Sequence, residues 1–474
     1  MKKKNVLEIL FSVIFTVLSL AFLIQLYLMD KLPILYFSII CLVVILMAGG
    51  LMFLQLSKKI NKTNKTLGKV LIGILSILLI LGNVYIYKMN HTIRNIINND
   101  TKKIEVSVIV KKESAVEKIE DITGLVGNIQ VGNSIYTDKA ISEMKEINAN
   151  LQFKNYLGFD TFGDDLLNGG VEAMILNEAM RGQFEETHPD FSEQTRVIHS
   201  FFYEEENKDI SVNVDVTKKT FNVYISGIDQ SGSIQTLGRS DVNKVMTINP
   251  QTRQIFILDI PRDYYIPQVC QANQLDKLTH TGIFGVDCTV ESMSNYLGID
   301  MNYYVRINFS SLEQIVDALG GVDVESAYDF NAGGYHFNVG INHLNGAQAL
   351  AFSRERYSFE GGDNVRIANQ TRVLKAIIDK VTSPAILTNY MSFMDAISGT
   401  FQTNMNEKEI NALIKMQLND MRSWQISSDH LEGTGGIDWT PANGFDAYVM
   451  YPDEDSRLRA LKEIETIMNG GTLE

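Results

Sequence analysis

Three long apolar stretches open the chain. Val6–Met29 is broken only by Glu8, Pro33–Leu54 carries no charge, and Val70–Tyr87 carries none and ends in Tyr85 and Tyr87. As helices these runs of 24, 22 and 18 residues rise about 36, 33 and 27 Å, so each can span a hydrocarbon core of roughly 30 Å. Asp30, Lys31 and Leu32 join the first two, and a linker with Lys58, Lys59, Lys62, Lys65 and Lys69 joins the second to the third. Lys2–Lys4 precede the first run, so the basic segments fall on one side of a three-span path. The positive-inside rule then puts the N-terminus and the Lys-rich linker in the cytoplasm and residues from about 88 outside. Lys88, Arg94, Lys102 and Lys103, just past the third run, count against that orientation. A cleaved signal peptide would share the basic start but lacks a small-residue cleavage site and leaves two spans unexplained.

Beyond residue 100 the period changes. Residues 104–110 (IEVSVIV) are β-branched and apolar, as a strand requires. SAVEKIEDITGLVG and TDKAISEMKEINANLQ read as helix, turn and helix, with Thr137 or Asp138 as cap. Residues 101–215 are therefore predicted to form a small α/β or α+β domain. From Lys218 a second pattern begins, with strands at Phe221–Ile225, Val242–Ile248 and Gln254–Ile260 and further ones at 301–309, 322–326 and 443–449. Helices fit at Thr289–Tyr296, Leu312–Leu319, Gly346–Arg354, Asn364–Lys380, 407–419 and 456–468. Strands alternating with amphipathic helices predict a mixed sheet covered on both faces, and the short spacing within 221–260 predicts hairpins. The fold class is α/β: membrane anchor 1–100, accessory domain 101–215, main domain 216–474.

Charge sharpens this division. Residues 1–100 hold 11 Lys and Arg against 3 Asp and Glu, while the whole chain of 474 residues stands at -14, which leaves the body beyond residue 100 at -22. An acidic body excludes a nucleic-acid coat, whose affinity rests on neutralising phosphates. Three Cys exclude a disulfide-dense scaffold and a four-cysteine metal cluster. Cys270 and Cys288 are 18 apart and both outside under this topology; bonded and free forms are equally compatible with that. His188 and His199 read as surface or packing residues, and His280 as a structural hydrogen-bonding one.

The informative polar residues sit at element ends. Asp229 follows the first strand of the main domain, Arg239 and Asp241 precede the second, and Arg262 follows the third. Hairpins bring such ends to one sheet edge. Carboxylates offer hard oxygen ligands to Mg2+ or Mn2+, and guanidiniums grip phosphate oxygens, so the set suits a diphosphate. Farther on stand Arg354, Arg356, Asp363, Arg366 and Gln370; Arg366 and Gln370 share a helix face. A surface salt-bridge net is the competing reading of the same residues.

Those segments resemble the LytR-CpsA-Psr family of Gram-positive cell-envelope proteins. The likeness runs through FNVYISGIDQSGSIQTLGRSDVNKVMTINPQTRQIFILDIPRDYYIP, the 276–324 stretch, HLNGAQALAFSRERY, GGDNVRIANQ and LEGTGGIDWTPANGFDAYVMYPD, about 250 residues from 217 onward. Three spans and a domain ahead of the catalytic one look most like the streptococcal capsule-type CpsA branch. The resemblance implies an α-β-α domain with a central mixed sheet. It also implies a phosphotransferase that moves an anionic glycopolymer (capsular polysaccharide, teichoic acid or rhamnose polymer) from a polyprenyl diphosphate carrier in the membrane onto peptidoglycan, with no nucleic-acid partner.

By that analogy Asp229 and Asp241 hold Mg2+ or Mn2+ against the diphosphate and, with Arg262 and Arg354, form the catalytic set. Arg239, Arg262, Arg354, Arg356, Arg366 and Gln370 match the phosphate-clamping and supporting positions. The family has a second Arg three residues after the one matched by Arg366, where this chain has Asn369. The prenyl chain is expected in a tunnel lined by FNVYI, FILDI and YYVRINF, with helix 289–297 as a wall; filled core is the ordinary fate of such side chains. A non-catalytic sensor of lipid-linked glycan and a hydrolase that releases the polymer to water are the rival readings.

Overall fold

The computed structural model describes residues 3–30, 32–97, 101–130, 134–228, 233–397 and 399–473. It comprises two units, Met1–Asn95 with Asn406–Arg422, and Ile96–Met405 with Ser423–Glu474.

The first unit holds α1 (Lys3–Met29), α2 (Ile34–Leu56), α3 (Lys62–Ile97) and α13 (Glu407–Asp420). Within it Glu8–Met29, Ile34–Leu56 and Lys62–Lys88 are long and apolar enough to cross a membrane, making this a multi-pass membrane protein. Phe15, Leu51 and Ile72 pack one from each helix, while Leu10, Leu46 and Leu81 face outward, as lipid-facing residues do. Glu8, the single acidic break in the first apolar run, meets Lys65 at 3.3 Å and Lys69 at 3.4 Å. At the other end of α1, Asp30 meets Lys415 of α13 at 2.7 Å.

The second unit opens with a five-stranded sheet ordered β3-β2-β4-β1-β5. Its strands are β1 (Thr101–Lys111), β2 (Leu125–Ile129), β3 (Gln152–Tyr156), β4 (Ala173–Asn177) and β5 (Thr195–Glu206), with α4 (Ile135–Ile147), α5 (Phe159–Leu167), α6 (Arg181–Thr187) and α7 (Phe191–Gln194) between them. The helix expected in SAVEKIEDITGLVG is absent: a single 3-10 turn at Ile119–Asp121 precedes β2, which pairs in parallel with both β3 and β4. Val126 and Ile129 are buried in that strand, so sheet pairing overrides the local helical pattern. The core beneath the sheet takes in Leu237, Ile283 and Ala442 from much later in the chain.

A six-stranded mixed sheet follows, ordered β16-β11-β6-β7-β8-β17. The strands β6 (Phe221–Ile228), β7 (Ser240–Asn249) and β8 (Gln254–Ile260) form the expected antiparallel meander. After the ribbon β9 (Tyr265–Gln268) and β10 (Gln274–Lys277) come α8 (Val286–Leu297) and β11 (Tyr303–Asn308), which runs parallel to β6. Next stand α9 (Phe309–Ala318), the short strands β12 (Val322–Ser326), β13 (Phe330–Ala332), β14 (Tyr335–Phe337) and β15 (Gly340–Leu344), then α10 (Gly346–Arg354), α11 (Gly362–Thr382) and α12 (Ile386–Ile397). The edge strands are β16 (Phe401–Thr403) and β17 (Gln425–His430); the ribbon β18 (Gly433–Thr440) and β19 (Phe445–Pro452) and the helix α14 (Glu454–Met468) close the chain. Cys270 and Cys288 are disulfide-bonded with Cα atoms 5.6 Å apart, which decides the open choice.

The two faces of this sheet differ. Tyr224, Val245, Phe256, Leu258 and Ile260 pack with Val286, Val290, Met293 and Leu297 of α8 and with α14 into a filled core. Helix 289–297 is therefore a core helix rather than a tunnel wall. On the opposite face Val223 and Ile225 are buried, but Val242, Met246, Val305 and Ile307 stay half-buried. There α11 is tied down by a buried polar triad: Lys244 Nζ lies 2.6 Å from Asp259 Oδ1 and donates to Thr371 Oγ1 at 2.8 Å, while Thr371 donates to Asp259. A buried pair so satisfied fixes geometry more than it adds stability.

Candidate active site

The meander explains why separated residues meet. With Ile228 opposite Ser240 and Asn243 opposite Ile260, the end of β6, the start of β7 and the end of β8 share one edge. Asp241 sits there as the second residue of β7. Its Oδ1 accepts from Thr279 Oγ1 at 2.7 Å and lies 3.3 Å from Arg262 Nη1; its Oδ2 lies 4.0 Å from Arg239 Nη2. Among the described residues Oδ2 is buried without a hydrogen-bond partner, as are Nε of Arg262 and Nε of Arg366. Buried polar atoms left open in this way cost free energy unless a ligand satisfies them.

Arg366 enters from α11, whose start is allowed by Gly362 at φ +49, a left-handed turn that favours glycine. Asp363, three residues before, ion-pairs with Arg366. Burial lowers the affinity of Arg366 for its proton and Arg262 adds to this, against the pull of Asp363 and Asp241. For Asp241 burial pushes the carboxyl up, but Arg262, Arg239, the Thr279 hydroxyl and Arg366 together hold it below its ordinary value. Burial also works against Arg239 and Arg262, yet neighbouring carboxylates keep both above the ordinary value.

Asp241, Arg239, Arg262 and Arg366 are thus brought together, and Arg356 acts electrostatically on Arg366. Arg356 itself donates to Tyr357 Oη at 2.7 Å. Arg354 is placed differently, its exposed guanidinium 4.3 Å from the Phe309 ring centre. Gln370 is half-buried one turn beyond Arg366. Asp229 lies outside the described residues. Asn369 is buried and accepts from Arg372 Nη1 at 2.7 Å, so an uncharged side chain held by a neighbouring arginine occupies the place of the second Arg. Among the described residues no group of three or more His, Cys, Asp or Glu forms a metal cage. The open Oδ2 of Asp241 fits a cation that takes one or two carboxylates and completes its shell with phosphate oxygens.

Four further residues support the site. Glu186 of α6 ion-pairs with Arg239. Thr279 holds Asp241, and its neighbour His280 is pinned by Asp276 at 2.7 Å, which also accepts from Ala442 N at 2.9 Å. His280 is structural, as expected. Asp263 meets Lys277 Nζ at 3.4 Å beside Arg262. Arg306, fully buried in β11, donates to the carbonyls of Ile234 at 3.0 Å and Thr236 at 2.9 Å and so fixes the loop leading to Arg239. The visible signal was an Arg within the apolar strand YYVRINF.

Comparison with known proteins places this geometry. The model of the LytR-CpsA-Psr family matches residues 191–465. The chain is 36% identical over 236 residues to an Enterococcus faecalis protein named polyisoprenyl-teichoic acid–peptidoglycan teichoic acid transferase TagU, covering 49% of this chain and 76% of that one. A Bacillus anthracis protein of the same name is 30% identical over 276 residues, covering 57% and 86%. The crystal structure of B. subtilis TagV is 27% identical over 54% of this chain and 99% of that one, with a TM-score of 0.45. The two proteins named TagU correct the expected capsule-type CpsA branch to a TagU-type one. That expectation leaned on the spans and the accessory domain, most of which lie before the matched residues. With more than half its length matched and the Asp241 cluster inside the match, the chain belongs to the LytR-CpsA-Psr family.

Proposed function

We propose that the protein is a membrane-anchored phosphotransferase that moves an anionic glycopolymer of the teichoic-acid kind from a polyprenyl diphosphate carrier onto peptidoglycan. The observation that carries this reading is the Asp241 cluster, three guanidiniums around one carboxylate with buried polar atoms left open. The acceptor hydroxyl oxygen bonds to the phosphorus bearing the polymer, and the bond from that phosphorus to the bridging oxygen breaks. Polyprenyl phosphate leaves with the electron pair and takes the hydroxyl proton. Arg262 and Arg366 would hold the charge that grows on the bridging oxygen. Asp241, kept below its ordinary value, stays ionised and orients the arginines; it is a poor proton acceptor. Asp229 and Asp241 would hold Mg2+ or Mn2+, which when bound polarises diphosphate oxygens. Arg354, Arg356 and Gln370 remain proposed supporting contacts.

The prenyl chain is proposed to lie on the sheet face where Val242, Met246, Val305 and Ile307 stay half-buried. A cytoplasmic N-terminus and Lys-rich linker, with residues 101–474 outside, are supported by the lysine pattern and by Glu8 meeting Lys65 and Lys69 at one end of the spans. A cysteine placed in the linker should resist an impermeant thiol reagent in intact cells and one at the C-terminus should react; reversed labelling overturns the orientation. The function is tested with the full chain in nanodiscs, radiolabelled lipid-linked polymer, Mg2+ and peptidoglycan fragments. Label should move onto peptidoglycan. Label that stays on the carrier supports a sensor, and free polymer supports a hydrolase.

A further inference from the structure

We infer that the exposed face of the β18–β19 ribbon binds the acceptor, an uncharged N-acetylated glycan strand laid across Trp439 and Tyr448 beside the phosphate clamp. This rests on the transfer reading above. Ile437 stands directly opposite Tyr448, and Trp439 follows two residues on, so all three share one face of the ribbon. They are 67%, 47% and 50% exposed, a contiguous apolar patch with nothing packed over it among the described residues. Gly435 shares that face. A Cβ there would come within 2.9 Å of the Tyr448 ring, so the bare glycine lets the ring lie along the ribbon.

The patch is fastened to the reaction centre. Met450 N donates to the carbonyl of Asp263 at 2.8 Å, and Tyr265 Oη donates to the carbonyl of Trp439 at 2.7 Å. Both strands are thus anchored within three residues of Arg262. Burial raises the Tyr448 phenol, and the charges of Asp263 and Asp363 raise it further, which brings the ring into the field of the clamp's own carboxylates. Aromatic rings offer large rigid faces on which the C–H faces of pyranose rings stack. The rim decides between the two saccharides of the reaction. Asp263 is paired with Lys277 and Arg262, and Asp363 with Arg366, so the rim charge that remains is the exposed Asp446 opposite Trp439, which repels a phosphate-bearing polymer and leaves a neutral glycan unaffected.

The test uses the full chain in detergent, with purified lipid-linked polymer as donor and soluble peptidoglycan glycan-chain fragments as acceptor. Trp439→Ala and Tyr448→Ala should each raise the acceptor KM about tenfold, equivalent to about 1.4 kcal/mol, with donor KM within about twofold of wild type. Tyr448→Phe keeps the ring and should stay near wild type, which guards against a misfolded ribbon. Binding gives an independent readout. Trp424→Phe leaves Trp439 as the sole tryptophan, and its emission should shift when the fragments are added without donor. An unmoved acceptor KM, a raised donor KM, or emission that responds to donor alone overturns the inference. Fragments that shift Trp439 emission in a protein that transfers nothing uphold the platform and refute the transfer reading instead.

Discussion

Replacing Asp241 with Asn removes the carboxylate whose charge Arg239, Arg262 and Arg366 share. At the observed 3.3 and 4.0 Å the attractions to Arg262 and Arg239 are about 5 and about 4 kcal/mol before desolvation, taking an effective dielectric near 20. Most of that is returned because the carboxylate no longer has to be buried charged, so the folded state should lose only about 1–3 kcal/mol. Turnover should respond differently. The arginines keep their positive charge and lose a competitor, so donor affinity should hold or rise, while kcat should fall about a hundredfold or more as their orientation and the oxygen offered to a divalent ion are lost. Single-turnover transfer with the full chain, read beside donor binding, separates the two. The stability difference has a pH signature. The folded-state value of Asp241 is depressed, so its contribution is fully present above the unfolded carboxylate value and is lost as pH falls through the folded one. The Tm gap between wild type and Asp241→Asn should be flat from about pH 5 upward and close below about pH 4. Undiminished kcat, or donor affinity lost in step with kcat, would refute the assignment.

Glu186→Gln frees Arg239 from a carboxylate that an incoming phosphate must displace. Because that pair is partly exposed, donor KM should fall about two- to fivefold at constant kcat, less at high salt; a raised donor KM would contradict this. Glu463 of α14 has its carboxyl pushed up to about 7 by burial first and then by Asp429, so the folded protein holds an extra proton. Its contribution is present below the unfolded value and lost as pH rises toward 7, so Glu463→Gln should raise Tm at pH 8 and not at pH 4. The group is only half-buried and solvent screens it, which limits the gain to about 1 kcal/mol; equal Tm values at pH 8 would refute it.

The membrane helices and the β6–β7–β8 meander were legible because their apolar periods are long or regular and no distant partner is needed to read them. The strand β17, QISSDH, was missed because five of its six residues are polar and its place is set by parallel pairing with β8. The helix expected in 114–127 failed for the same kind of reason, since β2 is made by its neighbours β3 and β4. At the site, Asp241, Arg239 and Arg262 could be read from strand ends. Glu186 could not, because nothing local to α6 announces Arg239, 53 residues later. Thr279 escaped because a hydroxyl carries no compositional signal, and its partner Asp241 lies 38 residues earlier in the chain.

The core beneath β1–β5 is completed by Leu237, Ile283 and Ala442, and Lys103 N donates to the carbonyl of Gln235 at 2.8 Å. A ribosome delivers all five strands early, yet the last apolar piece arrives only near the end of synthesis. Until then the sheet waits with part of its underside uncovered, and the nascent chain carries an aggregation-prone surface for about half of its growth. Nonsense mutations before residue 442 would therefore damage the N-terminal sheet as well as the part they remove. Gene fission at the linker near 215 would separate two halves that each lack pieces of a shared interior.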